Sequence, residues 1–95
     1  MKRTLSYEEI AEVSLELSLL LHAGVGTGDA LYLLAEDSPR KELLSAMADE
    51  VDGGAALASA MRNSMAFPTY ACGLVEVGER TGRTEEALSA LSRYY

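Results

Sequence analysis

Residues 67–88 read FPTYACGLVEVGERTGRTEEAL, a stretch that holds two helix starts and the stop between them. Pro68 fixes φ and needs no donor, so it suits the first turn of a helix, and Tyr70, Leu74 and Val77 follow at helical spacing. That helix is expected to run to about Arg80. Gly82 can take the left-handed conformation that ends a helix, and Thr84 then offers a hydroxyl cap to a second helix with Glu85 and Glu86 in its first turn. Leu88, Leu91 and Tyr95 form the apolar stripe of the second helix. The unit is an αα-hairpin closed by a glycine turn.

Working outward, the same grammar recurs upstream. Ser6-Tyr7-Glu8-Glu9 is a capping box, in which Ser6 and Glu9 each satisfy an orphan amide at a helix start. Ile10, Val13, Leu17, Leu20 and Leu21 then share an arc of about 100°, the width of a core-facing stripe. A second apolar strip of Ala11, Leu15 and Leu19 lies on nearly the opposite side. Such a helix either sits centrally with both faces buried or offers the second strip to a partner or a second copy of the chain. The central position is the expectation, and Leu15 and Leu19 are the candidate interface otherwise.

Gly24, Gly26 and Gly28 end the first helix, and Ala30 to Leu34 start a short second one that stops near Asp37. Ser38-Pro39 reads as a cap followed by Pro at the first helical position, with Leu43, Leu44, Met47 and Val51 as the third stripe. Gly53-Gly54 ends that helix. Residues 55–61 make a short fourth helix, and Asn63-Ser64 a turn. No strand pattern appears. Gly24, Gly54 and Gly82 precede Ala30-Leu31, Ala60-Met61 and Ala87-Leu88 at nearly matching offsets, which predicts three αα-hairpins packed as an all-α, antiparallel six-helix bundle.

Composition narrows the function classes. Ninety-five residues form one domain, 1–95, whose first five residues are expected to be flexible. A net charge of −7 opposes nucleic-acid binding, because neutralising phosphates supplies much of that affinity. One cysteine forms no internal disulfide and leaves no C-x-x-C pair. The N-terminus lacks the apolar core of a secretion signal, and no window approaches the roughly 18 continuous apolar residues of a membrane span. As given, the chain is expected to be soluble and cytoplasmic.

The motifs that carry chemistry are sparse. Gly24-Val25-Gly26-Thr27-Gly28 follows a helix where phosphate loops follow a strand, so it reads as a turn. No catalytic constellation surrounds His22, the only histidine. Asp49, Glu50 and Asp52 gather at a helix C-terminus, where negative charge is disfavoured, so Asp49 and Asp52 with Glu79 are weak candidates for a divalent cation. The calcium-loop spacing is absent, and a solvated acidic end is the favoured reading. Gly73 and Gly78 each cost a helix interior about 1 kcal/mol against alanine, so close approach of a neighbouring helix is expected at both. Cys72, Met47, Met61 and Met65 read as core. Tyr94 and Tyr95 are either core or, as interfacial aromatics, the start of a membrane edge.

The chain resembles the cytoplasmic domain of the type II secretion system F family, the inner-membrane platform proteins of type II secretion and type IV pilus machines. Residues 17–25 (LSLLLHAGV), Ala30-Leu31, Gly54 with Leu57, Ala60 and Met61, and above all Phe67-Pro68 with Gly78-Glu79-Arg80-Thr81-Gly82 and Leu88 carry the likeness. It covers nearly the whole chain. Gly26 stands where proline is usual and Ala56 where serine is common, so those turns are expected to be looser or less well capped. The resemblance implies Gly24, Gly54, Phe67, Pro68, Gly78, Glu79 and Gly82 as framework residues, Glu79 more structural than functional. It implies no enzyme and no cofactor, and a scaffold that joins an assembly ATPase to inner-membrane secretion or pilus components, with transmembrane helices following the domain. A homodimer through Leu15 and Leu19 fits the same picture. A free-standing soluble helical adaptor is the alternative, and an acidic enzyme whose site forms only in an oligomer is a weaker one.

Overall fold

Residues 4–95 are described by a computed structural model. They form α1 (Tyr7–His22), α2 (Thr27–Ala35), α3 (Lys41–Asp52), α4 (Leu57–Ser64), α5 (Thr69–Arg80) and α6 (Thr84–Tyr94), with no strand among them. The hairpins are α1–α2, α3–α4 and α5–α6. Each turns at a glycine in the left-handed region, with φ of 91° at Gly24, 108° at Gly54 and 71° at Gly82. The residue after each glycine donates its N–H five residues back, Val25 to the Leu20 carbonyl, Ala55 to Glu50 and Arg83 to Gly78, at 3.0, 3.0 and 2.6 Å. Each glycine also donates three residues back, so all three turns are Schellman motifs. The sequence repeat is therefore a structural one.

The helices close into a ring, since each packs on its chain neighbours and α1 packs on α6 in the broadest pairing of all. Ile10, Val13, Leu17, Leu31, Leu44, Met47, Leu57, Met61, Val75, Leu88 and Leu91 fill the interior. At the α1 start the capping box forms as the sequence reads: Glu9 donates its N–H to Ser6 Oγ, and Ser6 donates its own to Glu9 Oε1 at 2.9 Å.

Several sequence expectations are corrected. Ser38 and Pro39 lie in a turn before α3, whose N-cap is Arg40, and Ser38 Oγ accepts the Arg40 N–H within that turn. Asn63 and Ser64 belong to α4, and the reversal comes at Met65, in the left-handed conformation at φ 59°. Met65 is exposed, not core. Pro68 is the N-cap of α5 rather than its first residue, and Thr84 is the first residue of α6, which has no side-chain cap. Leu5, expected in a flexible segment, is buried and donates its N–H to the Ala66 carbonyl at 3.0 Å; Met1 to Arg3 lie outside the described residues.

In α1 the expected stripe of Ile10, Val13, Leu17, Leu20 and Leu21 packs inward but the second strip does not, and α5 buries a different face from the one expected. The buried residues of α5 are Ala71, Cys72, Val75 and Gly78, while Tyr70 and Val77 face outward. A Cβ on Gly78 would stand 2.7 Å from Ala87 Cβ and 2.9 Å from the Arg83 carbonyl oxygen, so α5 and α6 approach where only glycine fits. In α1, Ser14 and Ser18 are buried, and Leu15 and Leu19 are 46% and 59% exposed. The expected central position of α1 does not hold. Ser14 and Ser18 lie on the helical strip joining Tyr7 to His22, both of which touch residues of α6 or the Tyr95 that follows it. Close packing selects small side chains and leaves larger apolar ones outside.

Candidate functional site

The turn end of the bundle is assembled from the three glycine turns, each linked to the next. Glu79, in the last turn of α5, reaches the start of α4: its Oε2 accepts the Leu57 N–H at 2.7 Å and its Oε1 the Ala58 N–H at 2.9 Å. Ala56, the α4 N-cap, has no side chain to do this. The orphan amides and the positive end of the helix dipole are thus satisfied by a carboxylate from a neighbouring hairpin. Asp52, at the end of α3, lies against the first turn of α2, where a Cβ on Gly28 would meet its Oδ1 at 3.0 Å. Gly26, the α2 N-cap, likewise makes no side-chain cap. His22, at the end of α1, places Nδ1 2.7 Å from Glu85 Oε1 in the first turn of α6.

These links decide what the acidic residues can do. Asp49 accepts a hydrogen bond from the Tyr32 hydroxyl, which with nearby burial and the charges of Asp49, Asp52 and Asp29 pushes the Tyr32 pKa up to about 12. Glu79 is occupied by amides and Asp52 faces a different helix, so Asp49, Asp52 and Glu79 are each engaged separately. Among the described residues no group of three or more His, Cys, Asp or Glu is placed to hold a metal. His22 is exposed, with a carboxylate as its partner and no nucleophile bonded to it.

Two further ionic clusters brace the flanks. The Arg62 guanidinium hydrogen-bonded to Glu76, joined by Arg80, holds the Glu76 carboxyl below the usual range. Arg40, its side chain only 10% exposed, meets Glu9 at 3.3 Å and Glu12 at 2.8 Å and so ties α3 to α1. It borders a cavity of about 660 Å³ between α3 and α4, lined also by Pro39, Leu43, Met47 and Asn63. Cys72 is buried, which pushes its thiol pKa up and disfavours the reactive thiolate.

The opposite end is aromatic. Tyr70 and Tyr94 have ring centroids 4.9 Å apart, Tyr94 and Tyr95 meet edge to face at 4.9 Å, and Tyr95 contacts Tyr7 at 5.2 Å. Tyr95 is half-buried against the core and burial raises its pKa, whereas Tyr7, Tyr70 and Tyr94 are exposed. The two adjacent tyrosines thus divide, one toward the core and one outward. Periodicity cannot find this cluster, because its members come from three helices; the only signal is that four of the five tyrosines flank helix ends.

Three glycine-turned αα-hairpins closed into a ring, with side-chain caps between hairpins, define a helical framework domain. Over residues 14–95 the sequence matches the family described as type II secretion system (T2SS), protein F, and the chain belongs to that family. It is 34% identical over 90 residues to the protein transport protein HofC homolog of Escherichia coli (strain K12), and 31% identical over 90 residues to the type IV pilus assembly protein TapC of Aeromonas hydrophila. Each alignment covers 90% of this chain and 22% of the relative, so the chain spans about a fifth of the length of these proteins. No helix among the described residues is long and apolar enough to cross a membrane.

Proposed function

We propose that this chain is a cytoplasmic-face scaffold domain of a platform protein in a type II secretion or type IV pilus machine, binding an assembly ATPase and holding it to the membrane complex. The observation that carries this reading is the strip of Leu15 and Leu19, apolar and exposed on the outside of a helix whose other faces are already used. An uncovered apolar strip on a well-packed domain is a docking feature. Family membership and the names of the two relatives support the setting. The domain acts by binding alone, without catalysis and without a cofactor.

The test is capture of the assembly ATPase of the same secretion or pilus system by this chain, with and without Leu15→Glu/Leu19→Glu. Capture by the unaltered chain and its loss in the folded double variant is the expected result. Equal capture by both would remove the strip from the binding surface, and saturable ATP binding by the chain itself would overturn the reading of a pure scaffold.

A further inference from the structure

The net charge of −7 is not spread evenly over the ring. Residues 4–39, which make the α1–α2 hairpin and the turn after it, hold seven carboxylates and no lysine or arginine. Residues 40–95 hold eight carboxylates against six basic side chains, and Lys2 and Arg3 lie outside the described residues. One hairpin of the three is therefore strongly acidic while the other two are close to balance.

The α1 part of this charge surrounds the exposed leucines. At about 100° per residue, Glu8, Glu12, Leu15 and Leu19 fall within an arc of about 60°, with Glu16 about 40° beyond it. All five are exposed. Arg40 reaches Glu12 from the start of α3, but it shares its guanidinium with Glu9, and the Glu12 side chain stays 61% exposed. α2, on one flank of α1, has no basic residue and adds Asp29. α6, on the other flank, adds Glu85 and Glu86 in its first turn; Arg83 is its N-cap, and Arg93 turns its guanidinium to Ser89 Oγ of its own helix at 2.7 Å. His22, at the far end of the same face, pairs with Glu85. Among the described residues Glu8 and Glu16 have no ion-pair partner.

An apolar strip framed by charges of one sign selects its partner by sign as well as by area. A second copy of the chain fits poorly, because an isologous contact through α1 would set these carboxylates against those of the other copy. A surface with lysine and arginine around an apolar side chain fits on both counts. We infer that the outward face of α1, Leu15 and Leu19 framed by Glu8, Glu12 and Glu16, docks a basic protein surface with an apolar centre. The inference rests on the reading of the Leu15–Leu19 strip as a docking surface and adds the charge that its partner must carry, whether or not that partner is the ATPase.

The experiment uses two amphipathic helical peptides with the same leucine face, one with lysine and the other with glutamate on its polar face. Each is titrated onto the chain and followed by the nuclear magnetic resonance shifts of the backbone amides. The lysine peptide is expected to bind and to move the α1 amides around Leu15 and Leu19, and the glutamate peptide to stay unbound. Leu15→Glu/Leu19→Glu makes the chain more acidic, so attraction by charge alone would tighten its hold on the lysine peptide, whereas docking on the strip weakens it about tenfold or more. Glu8→Lys/Glu16→Lys is expected to weaken binding by about tenfold, and Glu42→Lys/Glu86→Lys, the same change of net charge outside the first hairpin, by no more than about twofold. Should a lysine variant lose helical circular dichroism, Glu8→Gln/Glu16→Gln and Glu42→Gln/Glu86→Gln make the same comparison. Equal binding of the two peptides would overturn the inference, as would undiminished binding by the leucine variant or equal losses from the two charge variants. Binding of the lysine peptide with the expected dependences but no capture of the ATPase would sink only the scaffold reading. ATPase capture that the leucine variant abolishes and Glu8→Lys/Glu16→Lys leaves intact would overturn the inference and keep that reading.

Discussion

Gly73→Ala and Gly78→Ala make the same chemical change five positions apart in α5, and they are expected to move stability in opposite directions. At Gly73 nothing lies within 4 Å of the added Cβ, so the variant gains helix propensity of about 1 kcal/mol without a clash. At Gly78 the Cβ would stand 2.7 Å from Ala87 Cβ and 2.9 Å from the Arg83 carbonyl oxygen. Carbon atoms rest at about 3.5–4.0 Å, so α6 must retreat by roughly 1 Å. That retreat is resisted by the turn itself, because Arg83 donates its N–H to the Gly78 carbonyl at 2.6 Å and its own carbonyl accepts from Ala87 at 3.0 Å. Overpacking of this kind costs about 1–3 kcal/mol, partly offset by the gain in propensity, and leaves Gly78→Ala about 2 kcal/mol less stable. The two variants should then differ by about 3 kcal/mol. Urea unfolding followed by far-ultraviolet circular dichroism reads this as midpoints on either side of the unaltered protein, about 1 M or more apart. A Gly78→Ala variant as stable as the parent would refute the close α5–α6 approach. Destabilisation by Gly73→Ala would refute the open surface around it.

Glu79→Ala is expected to lower stability by about 2 kcal/mol in the same assay, because two amides at the start of α4 lose a charged acceptor; Glu79→Gln should recover little, since its single carbonyl oxygen satisfies one amide and its NH2 opposes the other. An unchanged midpoint in Glu79→Ala would mean that water caps α4 equally well. Leu15→Glu/Leu19→Glu should leave the melting curve nearly in place, within about 0.5 kcal/mol, as surface substitutions do; unfolding would return α1 to the bundle centre. Tyr32 should ionise late. Its pKa is raised to about 12 by the hydrogen bond to Asp49, so the folded state favours the protonated ring, and that contribution is intact below the ordinary value near 10 and lost as pH rises toward 12. Tyr32→Phe should remove this late step from a tyrosinate absorbance titration, and its persistence in the variant would assign it to another tyrosine.

Local signals are legible in the sequence and long-range ones are not. A capping box lies within four consecutive residues, and a Schellman glycine announces itself by the need for positive φ, so Ser6, Glu9, Gly24, Gly54 and Gly82 can be read directly from the chain. The cap of α4 is different in kind: its acceptor, Glu79, lies 22 residues away, and the sequence offers only the unsuited Ala56 at the cap position. Thr84 is the reverse case, a good capping residue displaced by one position because the Arg83 backbone is already committed to the turn. The exposed second strip of α1 and the rotated face of α5 have another origin. Periodicity weights a face by apolar bulk, so it selects Tyr70, Val77, Leu15 and Leu19, whereas closely approaching helices bury Gly78, Ala71, Ser14 and Ser18. Ser18 tolerates burial because its hydroxyl donates to the Leu15 carbonyl at 2.8 Å. The tyrosine cluster needs three helix ends in one place, which no single window of sequence contains.

The junctions between hairpins differ in what they rely on, and the difference gives Glu79 its importance. α1 on α6 and α2 on α3 are broad pairings, while α4 on α5 is the narrowest contact between hairpins. The broadest junction, α1 on α6, carries a looser polar link: His22 with Glu85 is solvent-exposed, and surface pairs are typically worth 1 kcal/mol or less. The narrow junction carries the only link among the three in which both carboxylate oxygens accept backbone amides. It also bears the shortest helix, since α4 has eight residues, below the roughly 12–15 at which an isolated helix becomes even marginally stable. Loss of Glu79 should therefore act locally first. Hydrogen exchange in Glu79→Ala should expose the α4 amides well before those of α1 and α6, and uniform exposure of all six helices would mean that the ring opens only as a whole. A ring of helices needs every junction closed, and at α4–α5 a side chain supplies what apolar area does not.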